Sequence, residues 1–447
     1  MIVSFVGLLA GLVLLIYLTI RGVHLLIAAP LASLVIAITG GLPLFEQVAS
    51  EGQASYVGAY MDGFVSFFKS WFFMFLLGAI FGKAMENSRS ADSIAQWIIR
   101  RIGIQHAALA IVVACAVLTY GGVSVFIVAF SVYAMALSLF KEANLPRRFI
   151  PAVIAFGSVT FTMTSAGSPE IQNWIPIKYL GTDPYAGWQI SIVVSGLMAC
   201  AGYYWMRHML NRAVLAGEHF EHRKDDLNPD ANGAVDMPNP IICLIPLFVV
   251  LGCSFLLHEY LGTSALIVAL MGGVSALYIL QYRYFTSLGQ PFTEGATGAL
   301  IATANTCAVV GFGAVAKVTP AFSEVVAVIT NLPGGGLVGA AIAISVICGL
   351  TGSASGGQTI ALPLLGPLYI GPDADPAQKV DPEALHRVVS IASGGLDSLP
   401  HNGYVVTLIR SICGETHKDA YLPLAKLTVV IPIVGAVVAI VLFSIFP

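Results

Sequence analysis

The run from Gly336 to Gly371, GLVGAAIAISVICGLTGSASGGQTIALPLLGPLYIG, is apolar at both ends and polar in the middle. Its flanks, 336–352 and 356–371, are joined by Thr351-Gly352-Ser353-Ala354-Ser355-Gly356-Gly357. About 20 apolar residues cross a bilayer, and each flank is somewhat shorter. The pair therefore reads either as two short spans or as a re-entrant hairpin. A lipid-facing turn at mid-depth would strand backbone polar groups, so such a tip must line a cavity. The Gly/Ser-rich composition favours the hairpin.

A second pair, 105–121 and 122–140, is joined by Thr119-Tyr120-Gly121-Gly122-Val123-Ser124. Two further apolar segments stop and resume. One breaks at Thr164-Ser165-Ala166-Gly167-Ser168-Pro169, the other at Asp397-Ser398-Leu399-Pro400-His401-Asn402-Gly403. An offset of 231 places Gly82 on Gly313, Gly121 on Gly352, Ser124 on Ser355 and Pro169 on Pro400. The expected organisation is a first transmembrane repeat over 1–207, a charged cytoplasmic linker over 208–238, and a second repeat over 239–447. Each repeat carries one hairpin and one discontinuous helix, in an all-α polytopic membrane protein.

Composition agrees. Of 447 residues 57% are hydrophobic and 10% charged, with mean hydropathy +0.85. Soluble domains carry about 25% charged residues. With 21 Lys+Arg against 24 Asp+Glu there is no basic excess, which excludes a nucleic-acid binder. The first twenty residues lack a basic region and read as a span rather than a cleaved signal. The seven cysteines form no CxxC pair and read as packed thiols, not as a metal site.

Basic residues set the orientation. One threading places 16 of the 21 on the cytoplasmic side and leaves Lys69, Lys178, Lys317, Lys379 and Arg387 outside. The first repeat then crosses five times, so the second is inverted and both termini lie outside. Inverted repeats with paired helix breaks point to the binding site of a secondary transporter. Broken helices expose backbone N–H groups and a positive dipole end, which hold an anion without an arginine at mid-depth. No arginine or lysine lies near the four breaks in the sequence.

The candidate substrate-binding residues are those of the breaks: Gly121, Gly122 and Ser124; Thr164, Ser165, Ser168, Gln172 and Asn173; Ser353, Ser355, Gly356, Gly357 and Gln358; and Ser398, His401 and Asn402. Small-residue helix packing is the alternative for the two glycine tips, and a loop at the membrane face is the alternative for 397–403. Ionisable residues inside a membrane mark function by default. Asp397, His401 and Glu170 are accordingly the candidate coupling-ion groups.

At these residues the chain resembles the gluconate permease family, gluconate:proton symporters and hydroxybutyrate-permease-like relatives within the ion transporter superfamily. The resemblance rests on Gly395-Leu396-Asp397-Ser398-Leu399-Pro400-His401-Asn402-Gly403, followed by Gly414-Glu415-Thr416-His417-Lys418. Gly167-Ser168-Pro169-Glu170-Ile171-Gln172-Asn173 stands where gluconate members carry a proline-rich break. The resemblance implies proton symport of organic acid anions, two hairpins with two discontinuous helices, a homodimer, and a multi-pass location in the bacterial inner membrane.

The expectation is a transporter importing a small sugar acid or hydroxy-monocarboxylate by alternating access, with no cofactor and no enzymatic activity. Di- or tricarboxylates would demand stronger positive compensation. A sodium-coupled citrate-like transporter is the runner-up, since the Ser/Thr-rich breaks could supply oxygens to sodium. An intramembrane hydrolase is the non-transporter alternative; Gly394-Gly395-Leu396-Asp397 is one position off an aspartyl-protease pattern, and a duplicated serine argues for symmetry rather than a nucleophile. No Walker sequence is present, so ATP does not drive transport.

Overall fold

The architecture follows from a computed structural model that describes residues 2–50, 52–103, 106–221, 237–322, 324, 335–372 and 374–446. Among them every regular element is helical. In chain order these are α1 (Ile2–Ile20), α2 (Leu25–Thr39), α3 (Tyr56–Asn87), α4 (Ser90–Ile102), α5 (Ala107–Tyr120), α6 (Val125–Glu142), α7 (Ile150–Ala155), α8 (Ile175–Leu180) and α9 (Trp188–Leu215). There follow α10 (Pro240–Leu261), α11 (Ser264–Gln281), α12 (Gln290–Lys317), α13 (Gly336–Thr351), α14 (Ala354–Ile370), α15 (Pro382–Leu396), α16 (Gly403–Val406), α17 (His417–Ala425) and α18 (Ile431–Ile445). Among the described residues seven helical stretches are long and apolar enough to cross a bilayer: α1, α3, α9, α10, α11, α12 and the continuous run His417–Ile445. The protein is a multi-pass, all-helical membrane protein.

Element order recurs. The pair α1–α2 corresponds to α10–α11 and the long helix α3 to α12. The hairpin α5–α6 corresponds to α13–α14, and the interrupted helix α7–α8 to α15–α16. The amphipathic helix α4 lies outside the apolar runs; it buries Ala91, Ile94, Ala95 and Ile98 and ends in Arg100 and Arg101. By the same offset its counterpart falls on 321–333, most of which lies outside the described residues. Most of the expected linker, 222–236, also lies outside them, and α9 continues past residue 207 to Leu215.

The most extensive helix packing joins α3 to α12. Tyr60 lies against Gly311, Gly63 against Val310 and Gly311, and Ile80 against Gly295, so the two helices run antiparallel. Glycine at these points removes the side chain that would separate the backbones. Equivalent glycines also serve equivalent roles. A Cβ on Gly82 would lie 2.7 Å from Ile127 of α6, and one on Gly313 would meet Ile360 of α14 even more closely. Each long helix thus seats the outgoing arm of its own hairpin.

The paired elements also exchange partners. The α1–α2 pair leans on the end of α12, where Gly40 meets Thr319 and Ser4 Oγ accepts from Ala321 N. The α10–α11 pair leans on α3 and α4, where Gly273 meets Phe81 and Ser93 Oγ donates to Pro238 O at 2.6 Å. The loops grouped as cytoplasmic by charge meet as well. Arg147 and Glu415 form an ion pair at 3.0 Å with both side chains under 7% exposed, and Arg148 holds Glu218 at 2.7 Å. Arg148 holds the half-buried Glu218 carboxyl below its usual range.

Gly63→Ala puts a methyl 2.5 Å from Ala314 Cβ and 2.9 Å from Val310 O. Overpacking of this kind costs about 1–3 kcal/mol. Gly78, on the same helix, faces open space. Thermal unfolding of the purified protein in detergent should show a lowered midpoint for Gly63→Ala and none for Gly78→Ala. Equal midpoints would mean that the crossing is not tightly packed.

Candidate functional site

The first break begins where α7 passes into a π-helical turn, Phe156–Thr160, and loses regular structure until the short turn Ile171–Asn173. A π turn inserts one extra residue per turn and is common at functional sites. Thr162 donates to Ser158 O at 2.6 Å, and Ser165 Oγ shares a 2.6 Å hydrogen bond with Ser195. Ser165 also donates to Phe161 O. Gly167 turns the chain at φ +77° under Tyr185, a conformation that suits glycine.

Asn173 is the knot of this segment. It is fully buried, its Nδ2 donates to Ser168 O and Pro184 O at 3.0 and 2.9 Å, and its Oδ1 accepts from Arg387 at 2.9 Å. Its carbonyl meets His386 Nε2 at 3.2 Å. Trp174 Nε1 adds a second bond to Ser168 O. Every side-chain polar atom of Asn173 is therefore committed to shaping the break.

Arg387 overturns one expectation: the breaks do not lack a cation. It is 0% exposed on α15, with Nη1 donating to Thr164 O at 2.6 Å and to Asn173. Its Nε and Nη2 donate to Ala186 O at 3.0 and 2.8 Å, and Nη2 reaches Pro184 O at 3.5 Å. The fork geometry of arginine suits a fold that must gather several carbonyls at once. Distance in sequence concealed the contact, since α15 lies more than two hundred residues beyond the segment it holds. The signal was nevertheless present: Arg387, Ser390, Ser393 and Asp397 recur at helical spacing inside an apolar run, which marks one polar face.

The second break, 397–402, is short and caps itself. Asn402, not Asp397, is the N-cap of α16: its Oδ1 accepts from Val405 N at 3.0 Å. Its Nδ2 donates to Gly352 O at 3.1 Å, tying the break to its own hairpin tip. Asp397 accepts from Ser398 Oγ at 2.9 Å, is 7% exposed, and forms no ion pair among the described residues. His401 is 2% exposed and packs on Gly352, yet neither ring nitrogen makes a hydrogen bond of normal geometry.

The hairpins bind both breaks. Ser353 caps α14 by accepting from Gly356 N, and Ser355 lies 3.3 Å from Ser353 Oγ. Gly357 lets α14 pass within van der Waals contact of Cys348. One turn on, Gln358 Nε2 donates to Gln172 O of the first break and to Ser393 Oγ, both at 3.0 Å. In the other hairpin Phe126 of α6 stacks edge-on against Tyr404 of α16, with centroids 5.4 Å apart. Tyr120 donates to Ala166 O. Each hairpin thus touches its own break at the tip and the opposite break along its outgoing arm. Gly121 packs on Leu247 and Gly122 beside Val250 and Pro169, so the nearest neighbours of the first tip are α10, α11 and its own break rather than the other tip. Ser124 is half-buried and its hydroxyl does not cap α6.

Buried polar atoms without a hydrogen bond of normal geometry occur at both breaks: Gln172 Oε1 and Gln358 Oε1, on residues joined by the contact above, and at the second break both nitrogens of His401 and, on α16, Tyr404 Oη. Glu170, on the first break, is half-buried. Tyr404, Ser390 and Ser393 belong to this cluster and escaped the sequence reading; Tyr404 was hidden by its apolar ring in an apolar run.

No model of a known protein family matches the chain. It is similar to a protein of Bacillus subtilis (strain 168) described as "Uncharacterized transporter YxjC", with 34% identity over 458 residues, 93% of this chain and 94% of that protein.

Asn173→Ala would leave Arg387, Ser168 O and Pro184 O each short of a partner. Unsatisfied buried groups cost about 1–3 kcal/mol each, though relaxation shares the loss. The expected result is a loss of about 2–4 kcal/mol, read as a lowered unfolding midpoint in detergent. Ser165→Ala, whose neighbour Ser195 can rotate, should lose about 1 kcal/mol or less. The reverse order would refute the role given to Asn173.

Proposed function

The chain belongs to the family of that Bacillus transporter, and on that premise we propose that it imports a small organic acid anion by alternating access. The substrate class is a hydroxy-monocarboxylate or sugar acid, and the coupling ion is a proton. The observation that carries the reading is that both breaks hold buried polar atoms left without hydrogen-bond partners. Nearly all buried polar groups in proteins are hydrogen-bonded, and exceptions concentrate where a ligand completes them. Gln172 comes from one repeat, and Gln358, His401 and Tyr404 from the other. A ligand bound among them would touch both repeats, as alternating access between inverted halves requires.

Arg387 changes the argument for a monocarboxylate without reversing it. Its charge favours an anion, but its donors are taken by carbonyls and Asn173. A di- or tricarboxylate would find no further free cation among the described residues of the breaks. For coupling, a buried carboxyl with only a hydroxyl partner is suited to carry a proton across the membrane. Asp397 fits that description, His401 sits in the same break, and Glu170 ranks third. A homodimer in the bacterial inner membrane completes the reading.

Uptake of radiolabelled acids into proteoliposomes tests it, with pH and sodium gradients imposed separately. The wild type should accumulate a monocarboxylate under an inward proton gradient and ignore sodium. Asp397→Asn should lose gradient-driven accumulation by about tenfold or more. His401→Gln should do the same while still allowing counterflow of substrate. Sodium-driven uptake of a tricarboxylate alone would overturn both substrate and coupling.

A further inference from the structure

We infer that Arg387 is a positioning residue that supplies the anion site with its fixed positive charge, acting through the backbone of the first break without touching substrate. The inference rests on the functional reading above, namely that a carboxylate is transported.

Three observations carry it. First, Arg387 is the largest fully buried charged side chain among the described residues, 0% exposed, on a helix whose next turns bear Ser390 and Ser393. Gln358 and Ser390 donate to the Gln172 carbonyl, and Ser393 accepts from Gln358, beside the partnerless Gln172 Oε1 that a substrate hydroxyl could fill. The guanidinium is thus one helical turn from the proposed site, close enough for its field to act where water is excluded. Second, its acceptors are neutral carbonyls and an amide, with no carboxylate among the described residues in contact, so no contact ion pair quenches the charge there. Third, the opposing charges are held one peptide away. The peptide whose carbonyl, Ala186 O, accepts from Arg387 donates its N–H, Gly187 N, to Glu383 at 3.1 Å. The peptide of Pro184 O likewise donates Tyr185 N to Asp183 at 2.6 Å. Trans peptides place C=O and N–H on opposite sides, so each acts as a spacer between cation and carboxylate.

The arrangement keeps a guanidinium solvated by oriented dipoles while holding its counterions at the periphery. A contact salt bridge would have cancelled the charge locally. A lysine could not reproduce it, because one ammonium cannot span the carbonyls of Thr164 and Ala186 and the Asn173 side chain together.

Transport kinetics of radiolabelled gluconate and 3-hydroxybutyrate in proteoliposomes separate a charge from a purely structural clamp. Arg387→Gln should raise KM by roughly tenfold or more, whereas Arg387→Lys should raise it by about threefold and lose mainly Vmax. Asp183→Asn keeps the acceptor for Tyr185 N and removes a negative charge, so it should lower KM by about twofold. That gain is the readout a clamp alone would not give, and it remains available if Arg387→Gln fails to fold. Equal Lys and Gln effects, or an unchanged or raised KM in Asp183→Asn, overturn the inference while wild-type uptake stands. Absence of saturable carboxylate uptake by the wild type overturns the functional reading and this inference with it.

Discussion

A backbone that leaves its helix inside a bilayer must find every hydrogen-bond partner within the protein. The two breaks meet that requirement in opposite ways. The second break solves it locally, with Asn402 capping the next helix and Tyr421 donating to Ser398 O. The first break is longer and draws on the other repeat. Arg387 and His386 reach across from α15, and Gln358 from α14, to collect carbonyls that nothing in the first repeat could satisfy. The two halves match in element order but differ in how their breaks are held together.

The polar groups also divide by whether they are satisfied. Asn173, Ser168, Asn402 and Arg387 have their capacity filled by protein, and they give the site its shape. Gln172, Gln358, His401 and Tyr404 retain unfilled atoms and give it something to bind with. Desolvation makes each unfilled atom costly in an interior this apolar.

Much of this could be read from the chain. Hydropathy gave the membrane helices, and glycine-serine punctuation located all four breaks to within a few residues, because both signals are local. Helix α4 was missed because its apolar residues occupy one face only, and an average along the chain does not register a face. The cation at the first break was missed for a different reason. A search along the sequence near each break sees only local residues, and Arg387 reaches Thr164 O and Asn173 from a helix more than two hundred residues away. Asn173 could be placed in the site from sequence, but whether its amide faces a ligand or the backbone is settled only by contacts across the two halves. Tyr404 shows the same limit from the other side, since its ring belongs to the apolar pattern and only its hydroxyl belongs to the site.

The exchange of partners between α1–α2 and α12, and between α10–α11 and α3–α4, bears on how the molecule is made. A ribosome delivers the first repeat to the membrane while the surfaces meant to cover it do not yet exist. The glycine seam of α3 and the carbonyls of the first break must wait in lipid or under a provisional partner until α10 to α15 arrive. Assembly is therefore a late event that depends on the whole chain, and quality control acting on an unfinished molecule would meet the substrate pathway in its least protected form.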